Sequence, residues 1–188
     1  IRNASSDLVS IIASDDVMQK NRLQKSYDFM IKNSCDAVFT FVDIIDEKGN
    51  ICANHPMAKI FNQNKNRIEL LQHFFYQGNF LCAPSATIRK SVFENLGFMN
   101  PCLLQLQDFD LWTKMVIKNY KILFLEEKLT HYRVHNKNLS ALSNTQDFYK
   151  LNSRYYIEHS MVLENFLKIS FDDFLLAFKD ELKNDINN

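Results

Sequence analysis

The chain has 188 residues, enough to bury a full core, and one domain is the expectation at that length. Hydrophobic residues make up 46% and charged residues 23%, an ordinary balance for a globular protein, while 22 basic side chains cancel 22 acidic ones. That leaves no basic field to draw nucleic acid, and no apolar run approaches membrane-spanning length, so recognition must come from local sites. Cys35, Cys52, Cys82 and Cys102 are widely spaced with no C-x-x-C pair, which predicts reduced thiols.

In chain order, Leu8 to Ile12 reads as a short strand that stops at Ser14-Asp15-Asp16. A helix is expected from about Met18 to Asn33, with Leu23, Tyr27 and Met30/Ile31 on its packed face. Ala37 to Val42 is a second strand, closed by a turn at Asp46-Glu47-Lys48-Gly49-Asn50, and the three elements together predict a βαβ unit. In open α/β sheets ligands bind beyond the carboxyl ends of strands, so adjacent carboxylates there suit a hard divalent cation. The plain alternative is that Asp15 and Asp16 cap the following helix.

Residues 51 to 66 read as a polar surface excursion, followed by a helix from Arg67 to Tyr76. The segment Gly78 to Lys90 suggests a loop entering a strand, with Pro84 placing it at an edge or turn. Ser85 there is either a substrate-facing hydroxyl or a turn residue. Ser91 is expected to cap a short helix, Val92 to Leu96, that Gly97 ends. In the next helix Phe109, Trp112, Met115 and Val116 recur at three- and four-residue steps; Asp108 opens it and Asp110 lies in its first turn. Lys121 to Leu125 and Leu129 to His135 read as two more strands. Alternation in the second puts His131, Arg133 and His135 on one face, where His135 is a candidate metal ligand. From Thr145 the pattern turns helical. Tyr149, Tyr156, Met161, Leu163, Phe166 and Leu167 supply apolar positions, and Ser170 caps a last amphipathic segment with Phe171, Phe174, Leu175, Phe178 and Leu182 on one side. Asp172, Asp173, Asp180 and Glu181 disfavour anionic lipid, so packing or oligomerisation is the expected use of these helices.

Four stretches in this order resemble the family 2 glycosyltransferases of the GT-A fold, bacterial ones especially. They are Ile11-Ile12-Ala13-Ser14-Asp15-Asp16, the run from Phe74 to Ser85, Gln105-Leu106-Gln107-Asp108-Phe109-Asp110-Leu111-Trp112, and Tyr132-Arg133-Val134-His135 continuing to Ser140. The resemblance covers residues 1 to 143 and implies a partial GT-A-like mixed α/β sheet flanked by helices. Residues 144 to 188 stand outside it as a C-terminal helical extension. The family's nucleotide-cradling first half precedes the acidic motif, and a start at Ile1 without an initiator methionine leads us to expect a fragment or an excised domain.

By that resemblance Asp108 matches the catalytic base of an inverting transfer. Asp15, Asp16 and His135 match the groups that hold Mg²⁺ or Mn²⁺ with the nucleotide-sugar, a UDP-sugar. Ser85, Gln107, Asp110 and Arg133 fall in the substrate-binding region. Ala13 stands where the family often has another acid, leaving the metal motif one carboxylate short. The implied acceptor is a glycan or lipid-linked hydroxyl in surface polysaccharide or glycoconjugate synthesis, in the cytoplasm or at the inner membrane face, with no nucleic acid involved. Self-association through the C-terminal helices or an exposed sheet edge is a further expectation. Two other readings are a binding or assembly module that keeps the fold without catalysis, and a metal-dependent hydrolase using Asp15, Asp16 and His135.

A helix N-terminus favours the charged form of Asp108, while burial beside Phe109 and Trp112 opposes it. Which effect wins decides how good a base it is.

Overall fold

The computed structural model describes the backbone of residues 1–135 and 147–186, and side chains over 1–135 and 153–179. The Asn136 to Ser140 end of the fourth motif, the 143/144 boundary and the side chains of Tyr149, Asp180, Glu181 and Leu182 lie outside the described residues.

A mixed five-stranded sheet, counted among the described residues, runs in the order β1-β4-β3-β5-β2. These strands are β1 (Leu8–Ser10), β2 (Val17–Met18), β3 (Ala37–Ile45), β4 (Ala86–Arg89) and β5 (Ile122–Arg133). β3 and β5 are parallel; β4 is antiparallel to both β1 and β3, and β2 is antiparallel to β5. The expected strand–helix–strand unit is therefore present, but β4 is threaded between its two strands. Both edge strands are short, three and two residues, which blunts the sheet edges.

The helices are α1 (Arg22–Asn33), α2 (Pro56–Phe61), α3 (Arg67–Tyr76), α4 (Lys90–Leu96), α5 (Gln107–Ile117), α6 (Asp147–Leu163) and α7 (Phe171–Ile186). α1 differs from expectation in two ways. It begins at Arg22, because Val17 and Met18 pair with His131 and Thr130 of β5. Its buried face is Arg22, Ser26 and Met30, while Leu23, Tyr27 and Ile31 face solvent. One residue of offset is about 100° of rotation. The rotation follows from Arg22, whose guanidinium donates to the carbonyls of Pro84, Ile11 and Ala86 and holds that face inward.

Residues 51 to 66 are not all irregular, since α2 lies within them. Just beyond it, Asn62 takes a strand's place: its amide accepts from Val42 N–H at 2.7 Å and donates to Val42 C=O at 2.9 Å. It does so where the β3/β5 register shifts on either side of Phe41. Those shifts also explain why two strands were expected where β5 is one. The exposed run Glu126-Glu127-Lys128 bulges and the ladder resumes beyond it. Ser91 does not cap α4, which starts at Lys90 without a side-chain cap; Gly97 does end it, with φ at 79°.

The main core lies between the sheet and α3, α4 and α5. Phe39 meets Trp112 edge to face at 5.0 Å, and Phe74 meets Phe109 at 5.3 Å. The apolar stripe expected on α5 is buried, and Leu111, Thr113 and Ile117 are buried with it. The C-terminal helices join this core through Val162, Phe166, Ala177 and Phe178. They dock on α3 and α5 rather than on the sheet: Arg67 forms a bidentate pair with Asp173 at 2.6 and 2.7 Å, and Gln72 donates to Ala177 C=O. Ser170 caps α7 as expected, accepting from Asp173 N–H. The packed side of α7 is Phe174, Ala177 and Phe178, while Phe171 is 73% exposed. Cys35, Cys52, Cys82 and Cys102 are all free thiols.

Candidate active site

The carboxyl ends of the parallel strands β3 and β5 and the end of β1 converge, and the acidic motif lies there. Val134 N–H donates to Ile45 C=O, carrying the β3–β5 pairing past the strand end. Asp15 and Asp16 sit in the turn between β1 and β2, several residues ahead of α1, whose N-cap position is Asn21. They do not cap that helix, so the plain alternative falls away. Their partners come from the end of β5 instead. Arg133 N–H donates to Asp16 Oδ1 at 2.8 Å, and Arg133 Nε donates to Asp15 C=O at 2.7 Å. His135 Nε2 lies 3.1 Å from Asp15 Oδ2. The Arg133 guanidinium also reaches the carbonyls of Asp46 and Glu47 at 2.8 and 3.0 Å, tying the turn after β3 to the same place. His131, on the same strand face, meets Gln19 Nε2 at 3.0 Å.

Asp16 is the strained member of the group. Its Oδ2 is buried without a hydrogen-bond partner. Burial pushes its pKa up to about 6 against the Arg133 N–H bond that lowers it, and the neighbouring Asp15 charge raises it further.

The third carboxylate of the site is Asp108. The helix starts one residue earlier than expected, at Gln107 with Leu106 in the N-cap position, so Asp108 lies in the first turn and does not cap. Asp108 Oδ1 accepts from Phe109 N–H at 2.7 Å, and Asn79 Nδ2 donates to Oδ2 at 3.2 Å. Asn79 is itself pinned by Leu81 N–H at 2.9 Å. These bonds favour the charged form, yet burial outweighs them and raises the Asp108 pKa to about 6. Burial therefore wins over the helix terminus, and the group is both ionised at pH 7 and a stronger base than an ordinary carboxylate.

Cys82 senses the charges of both Asp16 and Asp108. It is buried, and burial with those charges pushes its thiol pKa far up, so it is an inert neutral group. Arg22 lies under the same floor, fully buried, its pKa lowered to about 10 by desolvation, while the Asp16 charge works to raise it. Arg22, Asn79 and Cys82 were not singled out from sequence. Asn79 and Cys82 fall inside the second quoted motif, but Arg22 gave no local signal.

The remaining expected residues separate by role. Ser85 is 1% exposed, and its hydroxyl donates to Cys82 C=O at 2.8 Å, so its proton is committed to the loop rather than to a substrate. Asp110, 4% exposed, turns away from Asp108: it pairs with Lys114 at 2.6 Å and accepts from Asn165 at 2.9 Å, joining α5 to the C-terminal helices. Gln107 is partly buried at the head of α5 beside Asp108. Arg133 holds the acidic turn through its bonds to Asp15 and Asp16.

No group of three or more His, Cys, Asp or Glu side chains converges as a metal set among the described residues. What is present is the Asp15–His135 pair and the orphaned Asp16 oxygen. That set fits a Mg²⁺ or Mn²⁺ that keeps other oxygen ligands, because such ions are commonly held by one or two carboxylates plus substrate phosphates.

The model for the family described as "Glycosyl transferase family 2" matches residues 1–97, just over half of the chain. The chain belongs to that family. Relatives include an uncharacterized glycosyltransferase, MJ1057, of Methanocaldococcus jannaschii, 28% identical over 130 residues that make up 69% of this chain and 42% of the relative. The O-antigen biosynthesis glycosyltransferase WbnJ of Escherichia coli is 30% identical over 167 residues, 85% of this chain and 58% of WbnJ. The fold matches that of S. aureus TarS 1-349 in complex with UDP-GlcNAc at a TM-score of 0.60 and 12% identity, covering 95% of this chain and 48% of TarS 1-349. With TarS 1-349 in complex with UDP the TM-score is 0.57 at 14% identity. The chain thus spans about half the length of these proteins. No helix among the described residues is long and apolar enough to cross a membrane.

Proposed function

We propose that this chain is the catalytic and acceptor-side part of an inverting glycosyltransferase that moves a sugar from a UDP-sugar to a hydroxyl of a glycan or lipid-linked acceptor. The observation that carries the proposal is Asp108, a carboxylate at the head of α5 with its pKa raised to about 6 by burial and with Asn79 fixing one oxygen. Near neutral pH it is mostly ionised and accepts the acceptor hydroxyl proton as that oxygen bonds to the anomeric carbon. The bond from the anomeric carbon to the diphosphate breaks on the opposite face, which inverts the configuration. A glycoside hydrolase would need a second carboxylate flanking the bond, and Asp110, two residues from Asp108, is spent on Lys114 and Asn165.

Asp15, Asp16 and His135 would hold Mg²⁺ or Mn²⁺, which when bound neutralises the charge that gathers on the leaving diphosphate. Arg133 keeps the acidic turn against the ends of β3 and β5, and Arg22 holds the Pro84 loop beneath it. UDP-sugar as donor is supported by the TarS complexes, and a role in surface polysaccharide synthesis by the similarity to WbnJ; the cytoplasm is the compartment we propose for the reaction. The other reading is a binding module that keeps the fold without catalysis.

The test is calorimetry and transfer assay of the full-length protein with UDP-GlcNAc and Mn²⁺, wild type beside Asp108→Asn. Donor binding retained by the variant with transfer abolished is the expected result. Transfer that survives the substitution would overturn the base assignment, and failure of a panel of UDP-sugars to bind the wild type would favour the binding module.

A further inference from the structure

The stretch leading into α5 has a feature that the strand-end chemistry does not use. Leu104, Gln105 and Leu106 present three successive backbone N–H groups, and Leu106 occupies the N-cap position without a side-chain cap of its own chain segment. All three point at a single carboxylate from α6. Glu158 Oε1 accepts from Leu104 N–H at 3.0 Å, and Oε2 accepts from Gln105 N–H at 2.8 Å and Leu106 N–H at 3.0 Å. Glu158 is 3% exposed. A buried carboxylate is tolerated where enough donors meet it, and three amide N–H groups aimed at one anion meet that need. Its position before the first turn also suits the positive end of the α5 dipole.

The neighbouring turns of α6 sit on the same place. Tyr155 stacks on His159 with centroids 5.7 Å apart, and the His159 ring lies 5.9 Å from that of Phe109, the residue after Asp108. A Cβ on Gly78 would stand 3.5 Å from Tyr155 Oη, so α6 also packs against the loop that delivers Asn79 to Asp108. Both supports of Asp108, the helix start and the Asn79 loop, are thus braced by one helix that lies far beyond the family-matched residues 1–97.

We infer that Glu158 is a positioning residue for the site: by clamping Leu104–Leu106 it fixes where α5 begins and so where the Asp108 carboxyl stands. This rests on the reading of Asp108 as the base only for its catalytic meaning; the positioning itself is a structural claim that can be measured without substrate. Gln at this position would turn its NH₂ toward an amide N–H and break the clamp on one side. Asp would keep the charge with a shorter reach.

The experiment is a carboxyl ¹³C titration of Asp108 in the full-length protein, wild type beside Glu158→Gln and Glu158→Asp, with thermal melts of each. If Glu158 positions Asp108, loosening the helix start lets water reach that carboxyl. Its pKa then falls from about 6 toward the ordinary value of roughly 4 in Glu158→Gln, and by less in Glu158→Asp. A lower melting temperature with the Asp108 titration unmoved in a folded variant would overturn the proposal and leave Glu158 a stability residue only. Glu158→Asp keeps the test open should Glu158→Gln fail to fold. Survival of transfer in Asp108→Asn would sink the base reading while leaving the titration outcome standing, so the two failures are distinguishable.

Discussion

Two sets of carboxylates in this chain are treated in opposite ways. In the helical layer Asp173 accepts both arms of Arg67 and the Ser170 hydroxyl, and its pKa is pulled down to about 2. At the strand ends and the head of α5, Asp16 and Asp108 are desolvated faster than they are satisfied, and both rise to about 6. The first arrangement stabilises the fold at neutral pH; the second opposes it. Carboxylates that weld helices together are given full partners, while those left short of partners are the ones a reaction or a cation would complete.

The largest expected effect comes from removing the desolvated Asp108 charge. Asp108→Asn should lower transfer by about 10²- to 10⁴-fold, the range lost with a general base. The same variant should be more stable than wild type at pH 7, by about 1–2 kcal/mol, because a carboxylate held above its unfolded pKa disfavours folding when ionised. The sign fixes the window. This contribution changes between pH roughly 4 and 6: wild type gains stability as pH falls through that interval, and the variant should gain less. Activity should run the other way, declining as pH drops through about 6. Chemical denaturation and a pH–rate profile check both halves. A variant that is less stable than wild type at pH 7 would break the contrast drawn above.

Next in size is Arg22→Met, which removes a fully buried guanidinium and takes the donor from the carbonyls of Ile11 and Pro84, while Ala86 C=O keeps Ile11 N–H at 3.0 Å. A loss of about 3 kcal/mol is expected from orphaned buried acceptors. Because the Asp16 carboxyl also loses a nearby cation, its pKa should rise further.

Asp173→Asn sharpens the other side of the comparison. It should cost about 2 kcal/mol at pH 7 with transfer unchanged. Its contribution is complete above the unfolded pKa of roughly 4 and is lost as pH falls through about 2, so wild type and variant should converge in acid.

How much of this was legible in the sequence depends on how local the cause is. The stripe Phe109, Trp112, Met115, Val116 named α5, and the Asn66 capping box with Glu69 marks the start of a helix expected from Arg67. The acidic turn and His135 were each readable at the end of a strand, and it was the family resemblance that joined them as a group. What escaped was set by partners distant in sequence. β5 read as two strands because its Glu126-Glu127-Lys128 bulge looks like a break. α1 read with the wrong face because Leu23, Tyr27 and Ile31 have the spacing of a core stripe, and only the carbonyls near Pro84 reveal that Arg22 points inward. Glu158 carries no local signal at all, since its partners lie more than fifty residues away. The C-terminal helices were legible as helices, but nothing in their pattern said that they would brace the start of α5.

The smallest effect separates two roles of one hydroxyl. From sequence, Ser85 was either a substrate-facing hydroxyl or a turn residue. Its hydroxyl, though, is almost wholly buried and donates to Cys82 C=O, the same carbonyl that accepts Ser85 N–H at 2.9 Å. A group so placed holds the Cys82–Ser85 turn. Removing it should cost about 1 kcal/mol, the net worth of one hydrogen bond, since the carbonyl keeps its backbone donor. Ser85→Ala should therefore lower the melting temperature slightly and leave KM for donor and acceptor within about twofold, well under the tenfold that 1.4 kcal/mol of lost binding represents. A tenfold rise in KM with unchanged stability would return Ser85 to the substrate. It would also show that the turn opens in the bound state, since the hydroxyl cannot serve a substrate from where it now lies.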